Sequence, residues 1–354
     1  MRLQRYSFFL SLQVFFHFFL SLHFQSNKIM AYKNILGIGN ALVDILTQIS
    51  DDDILKQLNL PKGSMQHVDA ASSKSVGEAL KQHDRAMAAG GSSANTISGA
   101  AKLGIETGYI GKVGKDEHGK FFENEMVKTN VKPLMMTTAT PTGCVQAIIS
   151  KDGERTFATY LGAALELSPD DLKPELFDGW DILYVEGYLV FNRPLVDRAL
   201  EIAKSKGMKV AMDLASFNVV EANRDYMMDI IKNNVDIVFA NEEEAKALTG
   251  LEDPEASLHE IASMCDIAVV KVGAKGAYVQ HGDMVVKVNP IPAKVVDTTG
   301  AGDMWAAGFM AGLVKGEKLE KCAQMGAILA ANIIEVIGAK MDENRWKKIF
   351  FEIN

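Results

Sequence analysis

The stretch from residue 297 to 309, Asp-Thr-Thr-Gly-Ala-Gly-Asp-Met-Trp-Ala-Ala-Gly-Phe, carries the clearest chemical signal in the chain. Gly300, Ala301 and Gly302 predict a tight turn into a helix, where backbone N–H groups can approach an anion closely. Asp303 follows directly and its carboxylate is able to accept a proton from a hydroxyl group. An anion site and a base on one turn are what phosphoryl transfer to an alcohol requires, whereas a simpler interpretation is that Asp303 only caps a helix.

Two further segments combine glycine, asparagine and aspartate in a way that suits hydroxyl groups. Asn40 and Asp44 follow the first predicted strand, and a carboxylate there can accept hydrogen bonds from two vicinal hydroxyls of a sugar. Gly90 and Gly91 open a predicted helix that carries Asn95. The simpler alternatives are a solvated turn residue at Asp44 and an ordinary turn at the glycine pair.

Two further polar segments lie at the ends of predicted strands, and the first of them suits a metal ion. Asn241 and Glu244 follow a predicted strand, and an amide with a carboxylate suits Mg²⁺ held through water. Acidic residues in a first helical turn also occur simply because of the helix dipole. Lys271, Gly273 and Gly276 form a strand end and a Gly-x-x-Gly turn, which on its own predicts only a hairpin.

The pattern from residue 34 onward, short apolar runs alternating with amphipathic segments, predicts parallel strands crossed over by helices. Strands are predicted at 34–39, 107–113, 181–186, 209–213, 237–240, 267–271 and 293–296, and helices at 94–103, 118–129, 194–206, 224–233, 242–248, 303–314 and 319–337. Residues 43–68 and 137–160 break the alternation and predict either a small β lid over the carboxyl edge of the sheet or ordinary edge strands. Arg155 in the second of these segments is either a cation for the transferred phosphoryl group or a solvated hairpin residue.

The 354-residue chain has a net charge of −8, which argues against nucleic acid or an anionic membrane as its main partner. Cys144, Cys265 and Cys322 show no metal-ligand spacing, so we expect buried thiols in a reducing compartment, the cytoplasm. Residues 1–30 form a Phe-rich apolar extension without a small-residue cleavage site. It is either a targeting or anchor segment or the product of a start assigned upstream of Met30, and we favour the latter.

Two familiar nucleotide-binding motifs are incomplete in this chain, each at one residue. Gly37 and Gly39 suggest a dinucleotide fold, but Leu42 stands at the third glycine position. Residues 114–120 approximate a phosphate-binding loop, but Phe121 stands where a magnesium-binding hydroxyl is needed. An NAD-dependent oxidoreductase and a P-loop enzyme are therefore disfavoured.

The motifs quoted above, taken in order, resemble those of the PfkB carbohydrate kinase family, and more closely its adenosine-kinase-like branch. The resemblance covers Tyr32 to the C-terminus. It implies a ribokinase-like three-layer α/β/α sandwich with a mainly parallel central sheet and a small β lid, built as one domain at 31–354. It also implies ATP and Mg²⁺ as cofactors, with K⁺ as a further candidate.

The same resemblance implies roles for particular residues. Asp303 is the general base, the N–H groups of 300–302 form the anion hole, and Glu244 joins the Mg²⁺–phosphate network through water. Asn332 and Ala327 would line the adenine pocket. The expected substrate is the hydroxymethyl group of a nucleoside, adenosine first, with a ribose- or fructose-type sugar as the alternative. A catalytically silent regulator on the same fold is a further alternative. The expected oligomeric state is either a monomer or a homodimer.

Overall fold

The computed structural model describes residues 32–353, so the apolar extension at 1–30 lies outside the described residues. The strands are β1 (Asn34–Ile38), β2 (Leu42–Gln48), β3 (Met65–His67), β4 (Arg85–Gly90), β5 (Glu106–Gly114), β6 (Val131–Thr138), β7 (Thr142–Ile149), β8 (Arg155–Gly162), β9 (Ile182–Glu186), β10 (Lys209–Asp213), β11 (Ile237–Asn241), β12 (Ile267–Lys271), β13 (Ala277–His281) and β14 (Met284–Val288). The α-helices are α1 (Asp53–Gln57), α2 (Ala70–Ala79), α3 (Ser92–Lys102), α4 (Glu117–Lys128), α5 (Arg193–Ser205), α6 (Phe217–Asn234), α7 (Glu242–Thr249), α8 (Pro254–Ala262), α9 (Ala301–Val314), α10 (Leu319–Ile333) and α11 (Glu343–Ile353).

The central sheet has nine strands in the order β14-β13-β12-β11-β10-β9-β1-β5-β6. The seven strands from β12 to β6 are parallel, and β13 and β14 form an antiparallel edge. Strands such as β1 and β9 are buried along their whole length, which explains why their sequences are continuous apolar runs. Parallel pairing brings the carboxyl ends of β1 and β9–β12 to one edge of the sheet.

Helices cover both faces of this sheet. One apolar core holds side chains of α3, α9 and α10, including Ile97 and Phe309, and the other holds side chains of α5–α8, including Leu195 and Leu248. This arrangement confirms the predicted three-layer α/β/α fold with a mainly parallel sheet. Among residues 32–353, none of the helices has the length and apolarity that crossing a bilayer demands.

A second sheet of five strands, in the order β3-β8-β7-β2-β4, forms the small β lid. It contains the two stretches that interrupt the α/β alternation, and β4, which the sequence analysis missed. Arg85-Ala-Met-Ala-Ala-Gly90 has no β-branched residue, and β4 forms through its antiparallel pairing with β2. Helices α1 and α2 cover the outer face of the lid over a third apolar core.

Several local predictions differ from the structure. Residues 293–296 are not a strand but an irregular segment, in which Val295 and Val296 remain exposed. Strand β6 was also missed. Helix α6 begins earlier than predicted and bends at Asn223, where the backbone leaves helical values. Helix α10 ends at Ile333 rather than 337.

Candidate active site

A cavity of about 1100 Å³ lies between the lid and the carboxyl edge of the central sheet. At one end, it is lined by residues of the lid and the start of α3; at the other, by the ends of β10–β12, the start of α7, residues 300–303 and one face of α10. The predicted site residues in the lining are Asp44, Gly91, Asn95, Arg155, Asn241, Glu244, Lys271, Gly273, Gly276, Gly300, Ala301, Gly302 and Asp303.

Residues 300–302, here called the amide turn, are the N-cap and the first two residues of α9. Gly300 occupies the N-cap position with φ 74°, in the left-handed region that favours glycine. A Cβ at this position would also lie 2.9 Å from the Cβ of Ala339, so both the backbone conformation and the packing require glycine. The turn therefore presents the N-terminus of a 14-residue helix to the cavity, where an anion is favoured.

Asp303, in the first turn of α9, is held by two side chains of α3. The Ser92 hydroxyl donates to Asp303 Oδ1 at 2.7 Å, and Asn95 Nδ2 donates to Oδ2 at 3.0 Å. Burial raises the pKa of Asp303 to about 6, although both hydrogen bonds act in the opposite direction. The carboxylate is thus fixed, ionised at neutral pH and more basic than an ordinary aspartate.

Asp44 lies at the lid end of the same cavity. Its pKa is raised to about 6 by burial. A Cβ on Gly90 would lie 2.4 Å from Asp44 Oδ2, so the glycine makes room for the carboxylate without itself lining the cavity. The wall around Asp44 is apolar and comes from the lid strands: Leu46, Val145, Ala147 and Phe157.

Contrary to the prediction, Asn40 does not line the cavity but makes hydrogen bonds behind the cavity lining. Its side chain is buried and donates through Nδ2 to Glu186 Oε1 at 2.6 Å. Glu186 Oε2 accepts from the backbone N–H of Ser93 at 3.1 Å, which ties the end of β9 to the start of α3. Burial raises the pKa of Glu186 to about 7.

Lys271, the last residue of β12, points at the amide turn. A Cβ on Gly302 would lie 3.1 Å from Lys271 Nζ, and the ammonium donates to Asp213 Oδ2 at 3.0 Å. Burial alone would lower the pKa of Lys271, but the carboxylates of Asp213 and Glu244 outweigh it and the pKa is raised. A permanent positive charge therefore lies beside the N–H groups of the turn.

Asn241 and Glu244 form a capping box at the start of α7. Glu244 Oε2 accepts from the Asn241 backbone N–H at 2.8 Å, and Oε1 accepts from Asn241 Nδ2 at 2.7 Å. The pKa of Glu244 is raised to about 7 by burial and by the nearby Asp213 carboxylate. Within the described part of the chain, no three His, Cys, Asp or Glu side chains cluster closely enough to hold a metal ion. Glu244 therefore suits an ion held through water and substrate phosphates rather than directly.

Arg155 joins the lid to the segment before the amide turn. Its Nη2 lies 2.5 Å from Asp297 Oδ2, and Nη1 donates to Thr299 Oγ1 at 2.8 Å. Asp297 also accepts from the backbone N–H of Gly338 at 2.6 Å. A lid cation thus lies within the cavity lining and contacts Thr299, the residue directly before the amide turn.

Asn332 is the predicted site residue that the structure places furthest from its expected role. It is only 2% exposed, lies outside the cavity lining, and donates to Ile328 O and Glu352 Oε2, both at 3.0 Å. The face of α10 that does line the cavity carries Ala327, Ala330 and Ala331. Direct nucleotide contact through Asn332 was therefore a wrong prediction, because the helical period turns this residue away.

Sequence reasoning also missed residues that belong to the site. Asp213 and Glu186 each end a buried strand at the carboxyl edge, and that position was the available signal. Ser92 directly follows the Gly90–Gly91 pair, yet its contact with Asp303 spans 211 positions of the chain. Nothing local in the sequence indicates that contact.

Comparison with known proteins agrees with this geometry. The family model described as "pfkB family carbohydrate kinase" matches residues 60–345. The solved structure of a probable sugar kinase from Rhizobium etli has a TM-score of 0.80 and 32% identity, with coverage of 91% of this chain and 99% of that one. Adenosine kinase from Sinorhizobium meliloti has a TM-score of 0.79, 33% identity and the same coverage. Adenosine kinase from Saccharomyces cerevisiae is 30% identical over 86% of this chain and 95% of its own length.

The matched region contains the amide turn, Asp303, Glu244 and most of the lid. The fold shared with sugar and adenosine kinases is the ribokinase-like fold expected from the motifs. The protein belongs to the pfkB family of carbohydrate kinases, phosphotransferases that act on the hydroxyl groups of sugars or nucleosides.

Proposed function

We propose that the protein transfers the γ-phosphoryl group of ATP to a primary hydroxymethyl group of a nucleoside, with adenosine-like nucleosides as the first candidates. The observation that carries this proposal is the position of Asp303. Its carboxylate, with a pKa near 6, lies inside the cavity and directly after the backbone N–H groups of Gly300 and Gly302 at a helix N-terminus, where the Ala301 N–H already donates to Thr298 O at 3.1 Å. A base and an anion site lie next to each other there, as phosphoryl transfer to an alcohol requires.

In the proposed reaction, Asp303 accepts the proton of the hydroxyl group as that oxygen bonds to the γ-phosphorus. The bond from the γ-phosphorus to the bridging oxygen breaks, and ADP leaves with the electron pair. The amide turn and the Lys271 ammonium stabilise the charge on the transferred group, since they lie next to each other and both line the cavity. Arg155, on the lid side, is a third donor to the transferred phosphoryl group.

Mg²⁺ would neutralise charge on the nucleotide phosphates. Glu244 would hold it through water, since its two oxygens are engaged by Asn241 and its remaining lone pairs can accept hydrogen bonds from a hydrated ion. The carboxylates of Asp213 and Glu244 lie close to Lys271, and a cation at this end of the cavity would favour the ionised form of Glu244, whose pKa is raised to about 7 without it. K⁺ remains a prediction from the family resemblance.

The lid end of the cavity supports a nucleoside over a bare sugar. Asp44 can accept from two ribose hydroxyls, and Leu46, Val145 and Phe157 form an apolar wall that suits a flat base. The adenosine kinases from S. meliloti and S. cerevisiae are consistent with this assignment. Localisation in the cytoplasm is part of the proposal and is consistent with three free thiols in the described chain.

A ribose- or fructose-type sugar is the second candidate, because the probable sugar kinase from R. etli is equally similar in fold and identity. A catalytically silent regulator is disfavoured. Regulation by binding alone requires neither a buried base aligned by Ser92 and Asn95 nor a lysine directed at the amide turn.

The direct experiment is ADP release from ATP·Mg²⁺ in the presence of a panel of purine nucleosides, pyrimidine nucleosides, ribose and fructose. We expect turnover that depends on the acceptor, with the highest kcat/KM for a purine nucleoside. A higher kcat/KM for ribose or fructose would replace the nucleoside assignment by the sugar assignment. ADP release that no acceptor stimulates would contradict the kinase proposal for all members of this panel.

A further inference from the structure

Asp213 carries a buried carboxylate that lines the cavity beside Lys271. This residue belongs to none of the sequence motifs described above. It is the last residue of β10 and is 6% exposed. Its Oδ2 accepts from Lys271 Nζ at 3.0 Å, and its Oδ1 accepts from the backbone N–H of Ala215 at 2.9 Å. Both oxygens of the carboxylate are therefore fixed, one by the cavity lysine and one by the chain just beyond the strand.

The backbone around Asp213 is held in place. Ala215 has φ 70°, a left-handed conformation that is unfavourable for alanine, and it lines the cavity next to Asp213. A Cβ on Gly187, at the end of the neighbouring strand, would lie 2.3 Å from the carbonyl oxygen of Asp213. The carboxylate is therefore presented by a turn that tight packing has fixed in an uncommon conformation.

Three carboxylates compete for the Lys271 ammonium: Asp213, Glu244 and Asp303. Only Asp213 forms an ion pair with it, while the closeness of Nζ to Gly302 brings the ammonium next to the residue that precedes Asp303. A lysine released from Asp213 would be attracted to Asp303. That new ion pair would stabilise the ionised base, weaken its affinity for a proton and withdraw the ammonium from the phosphoryl group.

We propose that Asp213 is a positioning residue for phosphoryl transfer, which holds the Lys271 ammonium against the amide turn and keeps it from pairing with Asp303. The inference rests on the proposed function, since it assigns the amide turn to the transferred phosphoryl group and Asp303 to the base. It adds a residue that acts through Lys271 without contacting the reacting atoms.

The titratable groups that face Asp213 come from five elements. They are Lys271 of β12, Glu244 of α7, Asp303 of α9, Tyr184 of β9 and Tyr188 of the 3₁₀ segment Gly187–Phe191. Both tyrosines have raised pKa values because of burial, so they stay neutral. The negative charge of Asp213 raises the pKa of Asp303, and the positive charge of Lys271 lowers it.

The test is Asp213→Asn, which keeps the shape and hydrogen-bonding oxygen of the side chain but removes its charge. We expect kcat to fall about tenfold to a hundredfold, as for a lost charge-assisted hydrogen bond, with the acceptor KM within about threefold of the parent. The acid limb of the kcat–pH profile should move to lower pH by about one unit. A purely structural role would not shift that limb, and the double variant with Lys271→Gln separates positioning through the lysine from the direct effect of the Asp213 charge on Asp303.

Asp266→Asn is the matched control. It removes another carboxylate paired with a lysine, Asp266 Oδ2 with Lys209 Nζ at 2.8 Å, but at the opposite end of β10. This variant should keep the parent kcat and pH profile. An unchanged acid limb and a kcat within threefold of the parent in Asp213→Asn would overturn the positioning role.

Lys271→Gln provides a second, independent test. Because Asp213 acts through the lysine, adding Asp213→Asn to Lys271→Gln should lower kcat little further, and fully additive losses would overturn the proposal. Should Asp213→Asn fail to fold, Lys271→Gln alone must move the acid limb to higher pH, and an unmoved limb counts against the role. If Asp303→Asn is inactive while Asp213→Asn matches the parent, only the positioning role fails. Full turnover in Asp303→Asn overturns the proposed function itself.

Discussion

Asp303 combines two opposing influences on its proton affinity. Burial raises its pKa, and the hydrogen bonds from Ser92 and Asn95 lower it, with a net value of about 6. Such a carboxylate is ionised at neutral pH but accepts a proton more readily than a solvated aspartate. A general base works best when its pKa lies near the working pH, and the surroundings of Asp303 shift it in that direction.

The pH dependence of turnover follows from this value. Only the ionised form of Asp303 can accept the substrate proton, and its pKa of about 6 places the midpoint of protonation well above that of an ordinary aspartate. We therefore expect kcat to fall about tenfold per pH unit below about pH 6. Initial rates under saturating substrates in a constant-ionic-strength buffer would measure this. A constant kcat down to pH 4.5 would show that Asp303 is not the titrating base.

Residues within contiguous motifs could be placed from the sequence. The amide turn, Lys271 and Glu244 line the cavity because short spacing and a strand or helix end fix their direction. Asp213 could not be assigned to the site from the sequence, since its role depends on an ion pair with Lys271, which lies 58 positions away. Asn332 was misplaced because the sequence fixes the helical period of α10 but not which face meets the cavity.

At the scale of elements, the start of α3 is the support for the base. Gly91, its N-cap, has φ 99°, and a Cβ there would lie 2.2 Å from the carbonyl oxygen of Asn40. The helix begins where it does because glycine lets the chain pass this close to the end of β1. Ser92 and Asn95, which hold Asp303, both lie in the first turn that this contact positions.

Gly91→Ala should therefore damage both stability and catalysis. Backbone strain and the clash with Asn40 should lower the free energy of unfolding by about 3 kcal/mol, and displacement of Ser92 and Asn95 should lower kcat about a hundredfold. Gly104→Ala is the control, since Gly104 has φ 84° and nothing within 4 Å of an added Cβ. It should cost about 1 kcal/mol and leave kcat unchanged. Equal effects of the two variants, in chemical denaturation and in rate, would contradict this role of Gly91.

The start of α7 allows a test of the metal proposal. Glu244→Gln keeps the hydrogen bond from the Asn241 backbone N–H, which a glutamine oxygen can accept, but it loses the one from Asn241 Nδ2 and removes the charge that would attract hydrated Mg²⁺. We expect the free Mg²⁺ concentration at half-maximal rate to rise at least about tenfold, with a melting temperature within about 4 °C of the parent because one hydrogen bond is lost. Glu252→Gln, which loses an exposed ion pair with Lys246 on the same helix, should behave as the parent. An unaltered Mg²⁺ requirement in Glu244→Gln would remove Glu244 from the metal site.

The prediction of elements from the sequence succeeded where the hydrophobic pattern alone decides. Buried parallel strands such as β9 and β11 were found because they are apolar on both faces. Strand β4 was missed because its partner β2 lies about forty positions earlier, and pairing rather than propensity forms it. Residues 293–296 resemble a strand but have no partner strand to pair with among the described residues.

At the scale of the whole molecule, one cavity connects two separate sheets. The lid supplies Asp44 and Arg155, the central sheet supplies Lys271, and the start of α9 supplies the amide turn. Arg155 already links the lid to the segment before the amide turn through Asp297. Binding of the acceptor at the lid end and the nucleotide at the sheet end should both favour the same arrangement of lid and sheet.

Acceptor and nucleotide should consequently stabilise the protein cooperatively. A purine nucleoside and ADP·Mg²⁺ together should raise the melting temperature by more than the sum of their separate shifts, because each ligand favours the same arrangement of lid and central sheet. Differential scanning fluorimetry would measure the shifts. Asp44→Asn should weaken the acceptor shift and preserve the nucleotide shift. Strictly additive shifts in the parent protein would contradict coupling between the two ends of the cavity.

The central claim is that Asp303 removes the proton of the acceptor hydroxyl. The most direct measurement compares single-turnover phosphoryl transfer in Asp303→Asn and the parent, with acceptor and nucleotide affinities determined by calorimetry on the same preparations. We predict affinities within about threefold and a rate lower by about a thousandfold or more, equivalent to about 4 kcal/mol of barrier. A rate near that of the parent, with both ligands bound, would contradict the account.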